Sequence, residues 1–395
     1  MKNIVGQIAS KENFYPRIKE THRIYRLLEG GGSMQLSAPR RVGKSSILKS
    51  LVDTPVPGYY FVYIDVESAR DAQNFYRKIY KEILKSDFLT KGKQVWQQLK
   101  DDSNHFFSRL KNIKIGGLGE IGLNEDTPVD YEEELINFLS RLNLGENKLV
   151  ILIDEFPEVL LNIVEDQKGD FQLARSFLQS NRALRNNYAI SGKVQFIYTG
   201  SSSLNLTAEN LNSSELINDI ASVPIDPLTP LHAADFVTLI LKEYGYKIDK
   251  PEMDYMIKKV EWLIPFYFQL MIQEIIDMTE PKEGISKETI DGAVNKVSSR
   301  RNNNHFEHYV KRLRRVFPKK QYEFVQLFLN ELCKIELMTR SEATNLAFDI
   351  ISEGEVRKVL SSLIDDGYIV PIDSADPSYK FNSSILKNWW YNHEC

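Results

Sequence analysis

Ser37-Ala38-Pro39-Arg40-Arg41-Val42-Gly43-Lys44-Ser45-Ser46 is the stretch on which the reading of the fold turns. A short apolar run at 34–36 precedes it, and the helical pattern Ile47-Leu48-x-x-Leu51 follows. A loop that turns from a strand into a helix gathers backbone N–H groups pointing inward, and the helix dipole adds to their positive field. Phosphate oxygens are the natural occupants of such a loop. Gly43 lets the backbone approach them closely, Lys44 reaches the β- and γ-phosphates, and the Ser45 hydroxyl can ligate magnesium. The first glycine usual in such loops is replaced by Ala38. The ligand this pattern implies is ATP with Mg2+.

A second element matches the first. In Lys148-Leu149-Val150-Ile151-Leu152-Ile153-Asp154-Glu155 an apolar strand ends abruptly in two acids. Unpaired buried carboxylates are costly, so acids at a strand's carboxyl end belong in the crevice where doubly wound sheets bind ligands. Asp154 is expected to hold magnesium, and Glu155 to polarise the attacking water. A further strand ends in Thr199-Gly200-Ser201-Ser202-Ser203, where Ser201 is the residue chosen to orient the water or sense the γ-phosphate.

Outward from these motifs, short apolar runs at 34–36, 59–66, 148–153, 194–198 and 221–225 alternate with helical patterns. Near-continuous runs of this kind are buried on both faces, as in a parallel sheet flanked by helices, so an α/β domain is expected over residues 1–228. Residues 229–310 read as a small helical lid, with patterns at 232–243, 253–262, 266–278 and 287–297. Residues 311–395 read as a winged-helix domain. Helices are expected at 321–333, 339–348 and 352–366, and a hairpin pairs 368–370 with 379–381. Two of the helices open with capping boxes, Thr339-x-x-Glu342 and Ser352-x-x-Glu355. A Gly-rich hairpin is expected at 113–123.

The composition limits the function classes. The chain has 395 residues, a 42% hydrophobic fraction and a net charge of −4, so it can bury real cores and is no polycation built to coat nucleic acid. Cys333 and Cys395 are the only cysteines, too few to staple a fold, which points to a reducing cytoplasm. The most apolar stretch, 262–272, is far short of the roughly 20 residues of a membrane span. Neither a signal peptide nor a membrane contact is expected.

Taken together, the motifs resemble those of the prokaryotic "archaeal ATPase" group, placed with the STAND branch near AAA+ and origin-recognition ATPases. The double-arginine loop, Asp154-Glu155-Phe156-Pro157 and Tyr198-Thr199-Gly200-Ser201-Ser202 match in order and spacing, and the resemblance covers nearly the whole chain. It implies an AAA+-like P-loop NTPase core, a helical lid and a C-terminal winged helix. Phe14-Tyr15-Pro16-Arg17 looks like the family's aromatic-Gly-Arg box, which implies that Tyr15 and Arg17 lie where adenine is held. Trp262-Leu263-Ile264-Pro265 resembles the lid segment that carries a Gly-rich turn before a proline, which implies a nucleotide contact at Pro265; Trp262 and Leu263 replace the glycines. Relatives of this class take an arginine finger from just before the fifth strand, but residues 194–241 contain no Lys or Arg. Arg175, Arg182 and Arg185 are the nearest substitutes, the alternative for them being a solvated helix face, and slow intrinsic hydrolysis is expected.

Two functions compete. In one, the chain is a nucleotide-dependent switch that hydrolyses ATP to ADP and phosphate and regulates a protein partner. In the alternative, it loads on or remodels DNA through the wing and the basic segment 296–320, which holds nine cations against Glu307. The third helix of the wing opens with Glu353 and Glu355, which weighs against base reading. Oligomeric state stays open, a nucleotide-dependent oligomer included.

Overall fold

The structure is a computed structural model. It describes residues 1–86, 129–166, 169–200, 203–373 and 375–395, together with the backbone of 110–115 and 119–123. The described residues form two compact units. One comprises Pro16–Ser37 and Lys44–Pro224; the other comprises Met1–Tyr15, Ala38–Gly43 and Ile225–Cys395.

The first unit is built on five parallel strands, β1 (Ser33–Ser37), β2 (Tyr59–Asp65), β5 (Lys148–Asp154), β6 (Val194–Tyr198) and β7 (Ile220–Pro224). Their order is β2-β5-β6-β1-β7. All five strands expected from the apolar runs are present. Six of the seven β5 residues and all five of β6 are buried, as befits central strands covered on both faces. The 113–123 hairpin expectation meets β3 (Leu110–Ile115) and β4 (Gly119–Leu123), whose backbones pair antiparallel. Its turn, 116–118, lies outside the described residues.

Helices α1 (Ile18–Glu29), α2 (Lys44–Asp53), α3 (Ala72–Lys85), α4 (Tyr131–Arg141), α5 (Phe156–Asp166), α6 (Gln172–Arg185), α7 (Tyr188–Ser191) and α8 (Leu204–Asn210) complete this unit. Part of its core is aromatic. Phe75 meets Phe177 at 4.9 Å and Phe156 at 5.6 Å, and Phe156 meets Tyr198 at 4.8 Å, in tilted or edge-on geometries that ring quadrupoles favour.

Arg175 is exposed and Arg182 partly exposed on α6, as a solvated helix face would have them, whereas Arg185 departs from that expectation. Arg185 is buried and donates from Nε and Nη2 to the two carboxylate oxygens of Asp219, at 2.8 and 2.9 Å, and to Leu216 O at 3.0 Å. Arg182 bonds Glu215 O, and Arg175 pairs with the Glu215 carboxylate. The three side chains clamp α6 to the 215–219 segment. No residue of the sheet unit signals this from sequence, because the partners lie 30 to 40 positions away.

In the second unit, α9 (Pro230–Glu243), α10 (Lys250–Val260), α11 (Pro265–Met278) and α12 (Lys287–Val297) follow the expected lid patterns. The basic segment holds a 3-10 turn over Arg300–His305 and then α13 (Glu307–Val316). After it come α14 (Lys319–Leu332), β8 (Met338–Thr339), α15 (Arg340–Leu346), α16 (Glu353–Asp365), β9 (Ile369–Ile372), β10 (Ser378–Phe381) and α17 (Ser384–His393). Three helices and a small sheet of order β8-β10-β9 are the elements expected over this stretch for a winged helix. Both capping boxes are formed, with Thr339 and Ser352 each accepting from the backbone three residues on.

Two wing elements were not foreseen. Strand β8 is only two residues long, and α17 carries Trp389 and Trp390 into the interior. Trp389 stacks on Phe306 at 5.4 Å and donates to Asn303, while Trp390 donates to Asn330 at 2.8 Å. No described helix is long and apolar enough to cross a membrane.

Candidate nucleotide site

Parallel strands put their carboxyl ends on one edge of the sheet, and here β6 lies between β1 and β5. That edge therefore carries the end of β1, Thr199 after β6, and Asp154 at the end of β5. Lys44 and Ser45 open α2, the helix that follows β1. Lys44 is 7% exposed and Asp154 is 3% exposed, so both charges sit where little water reaches them. Ser45 and Ser46 are half-buried in the same first turn.

Several contacts fix the acidic end. Tyr63 of β2 donates its hydroxyl to Asp154 Oδ2 at 2.8 Å, and Lys49 of α2 places its ammonium 3.9 Å from the centre of the Tyr63 ring. Burial, then the charges of Asp154, Asp65 and Glu155, hold the Tyr63 phenol protonated far above its usual range. It is thus a permanent donor to Asp154. Asp65 is the register partner of Asp154 across β2 and β5. Neither Tyr63 nor Asp65 was singled out from sequence, since the run 59–66 reads only as a strand.

Glu155 adopts φ 62°, a left-handed conformation that costs a non-glycine residue energy and clusters at functional sites. The turn is held because Phe156 N donates to Thr199 O and Thr199 N donates to Ile153 O. Gly200 has no room for a side chain: a Cβ there would lie 2.4 Å from Pro157 Cδ. The glycine after β6 is therefore demanded by the turn that carries Glu155. Ser201, the sequence choice at this strand end, lies outside the described residues. Thr199, which directly follows β6, is 3% exposed, and its hydroxyl has no hydrogen-bond partner among the described residues.

Ala38–Gly43 belong to the second unit, and there the loop has partners of its own. Arg41 takes φ 67° and Gly43 φ 108°. The Arg41 guanidinium lies over the Phe266 ring at 4.6 Å and donates to Gly6 O at 3.1 Å. Burial, and less strongly the neighbouring Arg40, pull its pKa down. Burial also keeps His308 well below the usual histidine range, reinforced by Arg40, Arg41, Arg312 and His305. Pro39 touches the wing, because a Cβ on Gly367 would stand 2.6 Å from Pro39 Cβ and 2.6 Å from the Trp262 ring. Gly367 itself has φ 77° as it ends α16. Val42 is buried, and a Cβ on Gly43 would meet nothing within 4 Å.

The remaining expected residues divide between the units. Tyr15 donates to Asp235 at 2.9 Å and sets its ring edge-on to Phe236 at 5.5 Å, both on α9. Arg17 is buried in the sheet unit, paired with Glu20 at 2.6 Å. Pro265 opens α11 and is half-buried.

Two solved structures align with the chain over nearly its whole length. The Walker-type ATPase PABY2304 of Pyrococcus abyssi has a TM-score of 0.66 and 14% identity, covering 98% of this chain and 99% of its own. The Aeropyrum pernix ORC2 protein, solved as ADPNP–ADP complexes, has a TM-score of 0.52 and 12% identity, covering 96% and 95%. The fold is that of an AAA+ P-loop ATPase. No family model matches the chain, and no curated protein matches it in sequence.

Proposed function

We propose that this AAA+-fold chain is a nucleotide-dependent switch, which binds ATP with magnesium, hydrolyses it slowly to ADP and phosphate, and regulates a protein partner. One observation carries the reading. The phosphate loop 38–43 is packed into the same unit as the lid and wing, with Pro39 against Gly367 and a left-handed Arg41 held by Phe266 and Gly6. Anything that reshapes this loop acts directly on the wing. A bound phosphate chain is what such a loop is built to feel. The division into core (1–228), lid (229–310) and wing (311–395) is kept as the functional one, and the archaeal ATPase group remains the resemblance that fits it.

The residues suit the ligand. Ala38–Ser46 cradle the phosphates and Lys44 neutralises them. Ser45 and Asp154 hold magnesium, which when bound stabilises charge on the phosphate oxygens. Glu155 polarises water. The Thr199 hydroxyl, without a partner among the described residues, fits a polar ligand or its water at the same sheet edge, and Ser201 is proposed to orient the attacking water. Tyr15, Arg17 and Pro265 are retained as nucleotide contacts.

Tyr63 is the positioning residue for Asp154. Tyr63→Phe should raise the magnesium concentration needed for half-maximal ATP binding by about tenfold, the size of effect seen when a metal ligand loses its supporting hydrogen bond. Titration of magnesium against a fluorescent nucleotide measures this, and an unchanged midpoint removes Tyr63 from the site.

The switch itself is tested by hydrogen exchange in ADP and in a non-hydrolysable ATP analogue. Amides of 262–264 and 366–370 should differ in protection between the two states. Identical protection there would sink the coupling of loop to wing.

A DNA-acting ATPase is the second reading, favoured by exposed cations at Lys296, Arg300, Lys319 and Lys320. Other members of the basic segment are already engaged: Arg312 is buried on Asp366, Arg301 pairs with Asp277, and Lys311 pairs with Glu307. Helix α16 also pairs Arg357 with its own Glu353. Duplex binding that weakens steeply with salt would favour DNA, and its absence favours the protein partner.

A further inference from the structure

The chain's two cysteines are 62 positions apart in sequence, yet the wing brings them to one point. Cys333 caps the C-terminus of α14 and is buried; Cys395 follows α17 and is exposed. Both thiols donate to the same carbonyl oxygen, Asn330 O, with Sγ–O distances of 3.1 Å for Cys333 and 3.6 Å for Cys395. Around them, Trp390 Nε1 donates to the Asn330 side chain at 2.8 Å and Lys387 donates to Ile335 O at 2.8 Å. These contacts hold α17 in register with the end of α14.

We infer that Cys333 and Cys395 form a redox-sensitive thiol pair, which closes to a disulfide and latches the last helix of the wing onto α14. A disulfide needs its sulfurs about 2 Å apart with suitable Cβ vectors. Two sulfurs 3.1 and 3.6 Å from one acceptor are at most 6.7 Å apart, and the exposed residues after α17 are the part of the chain that must move to close the gap. In a reducing compartment, such a pair is a sensor rather than a permanent staple.

The chemistry balances with a low-molecular-weight disulfide such as oxidised glutathione as oxidant. The exposed Cys395 thiolate attacks one glutathione sulfur and expels a glutathione thiolate, leaving a mixed disulfide on Cys395. Cys333 then loses its proton to solvent and attacks the Cys395 sulfur, expelling the second glutathione thiolate. The two cysteines give up two electrons and two protons, and one glutathione disulfide becomes two thiols. The order follows from the environment. Burial, and then the Cys395 thiol beside it, push the Cys333 thiol up to about 12, while Lys334 and Lys387 pull it the other way. Capping Cys395 as the mixed disulfide removes its thiolate charge from beside Cys333, which eases the second step.

The test uses the full chain, treated with oxidised glutathione, alkylated under denaturing conditions and mapped by mass spectrometry. The expected result is loss of both alkylatable thiols in a monomeric chain, with the peptides of Cys333 and Cys395 joined. The native chain should close faster than the same chain in urea. Cys333→Ser should instead accumulate a stable glutathione adduct on Cys395, which reports the pair even if the disulfide alters folding. Both thiols remaining alkylatable, a persistent Cys395 adduct in the unmutated chain, closure no faster than in urea, or disulfides formed only between chains would each overturn the inference.

Discussion

Lys44→Ala is expected to weaken binding of magnesium nucleotide by at least about thirtyfold. Lys44 is the first residue of α2 and is buried, so its ammonium group is poorly shielded by water. Opposite a polyphosphate, a buried cation of this kind is worth about 2–5 kcal/mol, a loss of roughly thirtyfold to several thousandfold in affinity. The fold should survive, because α2 is anchored by Ile47, Leu48 and Leu51, which the substitution leaves in place. Calorimetry of ATP and ADP binding, with circular dichroism as the folding check, makes the measurement. Undiminished heat from nucleotide would show that the loop has another ligand.

Glu155→Gln is expected to behave differently, keeping ATP bound while lowering turnover by about 10²–10⁴. Glutamine preserves the size of the side chain and inherits the left-handed backbone at φ 62°, in the turn held by the Phe156–Thr199 and Thr199–Ile153 backbone hydrogen bonds. What it loses is the negative charge that draws a proton from water. Single-turnover hydrolysis, with nucleotide retention followed on a desalting column, separates chemistry from binding. If the variant hydrolyses ATP at the unmutated rate, Glu155 has no part in the reaction.

The elements legible in sequence were those written in local patterns. The five strands of the sheet, the lid helices and the two capping boxes announce themselves within a few residues, through apolar runs or a Ser/Thr with Glu three positions on. Contacts between distant segments were not legible. Tyr63 reaches Asp154 only because β2 and β5 pair in one register. Nothing near residue 200 says that a methyl group there would strike Pro157. Arg185 looked like a residue of a solvated helix face until Asp219 closed on it. Residues 1–15 carry no periodicity that marks them as part of the lid unit. Yet Asn3 bonds the Tyr244 hydroxyl and Gln269 O, and Tyr15 bonds Asp235. The very short β8 falls below any sequence signal, and α17 was hidden by its aromatic residues, which read as wing core without declaring a helix.

The interleaving of the two units has a consequence for biosynthesis. Residues 1–15 and 38–43 leave the ribosome early, but the helices and wing that receive them are encoded after residue 224. At about 5–20 residues per second, Gly367 emerges roughly 15–65 s after Gly43. During that interval the nascent sheet can assemble, while the phosphate loop must wait without its lasting neighbours. A polypeptide stalled or cut before residue 225 is translated would leave that loop, with its two arginines, without the segments that receive it. The order of synthesis thus sets a defined interval in which residues 38–43 lack the rest of their unit.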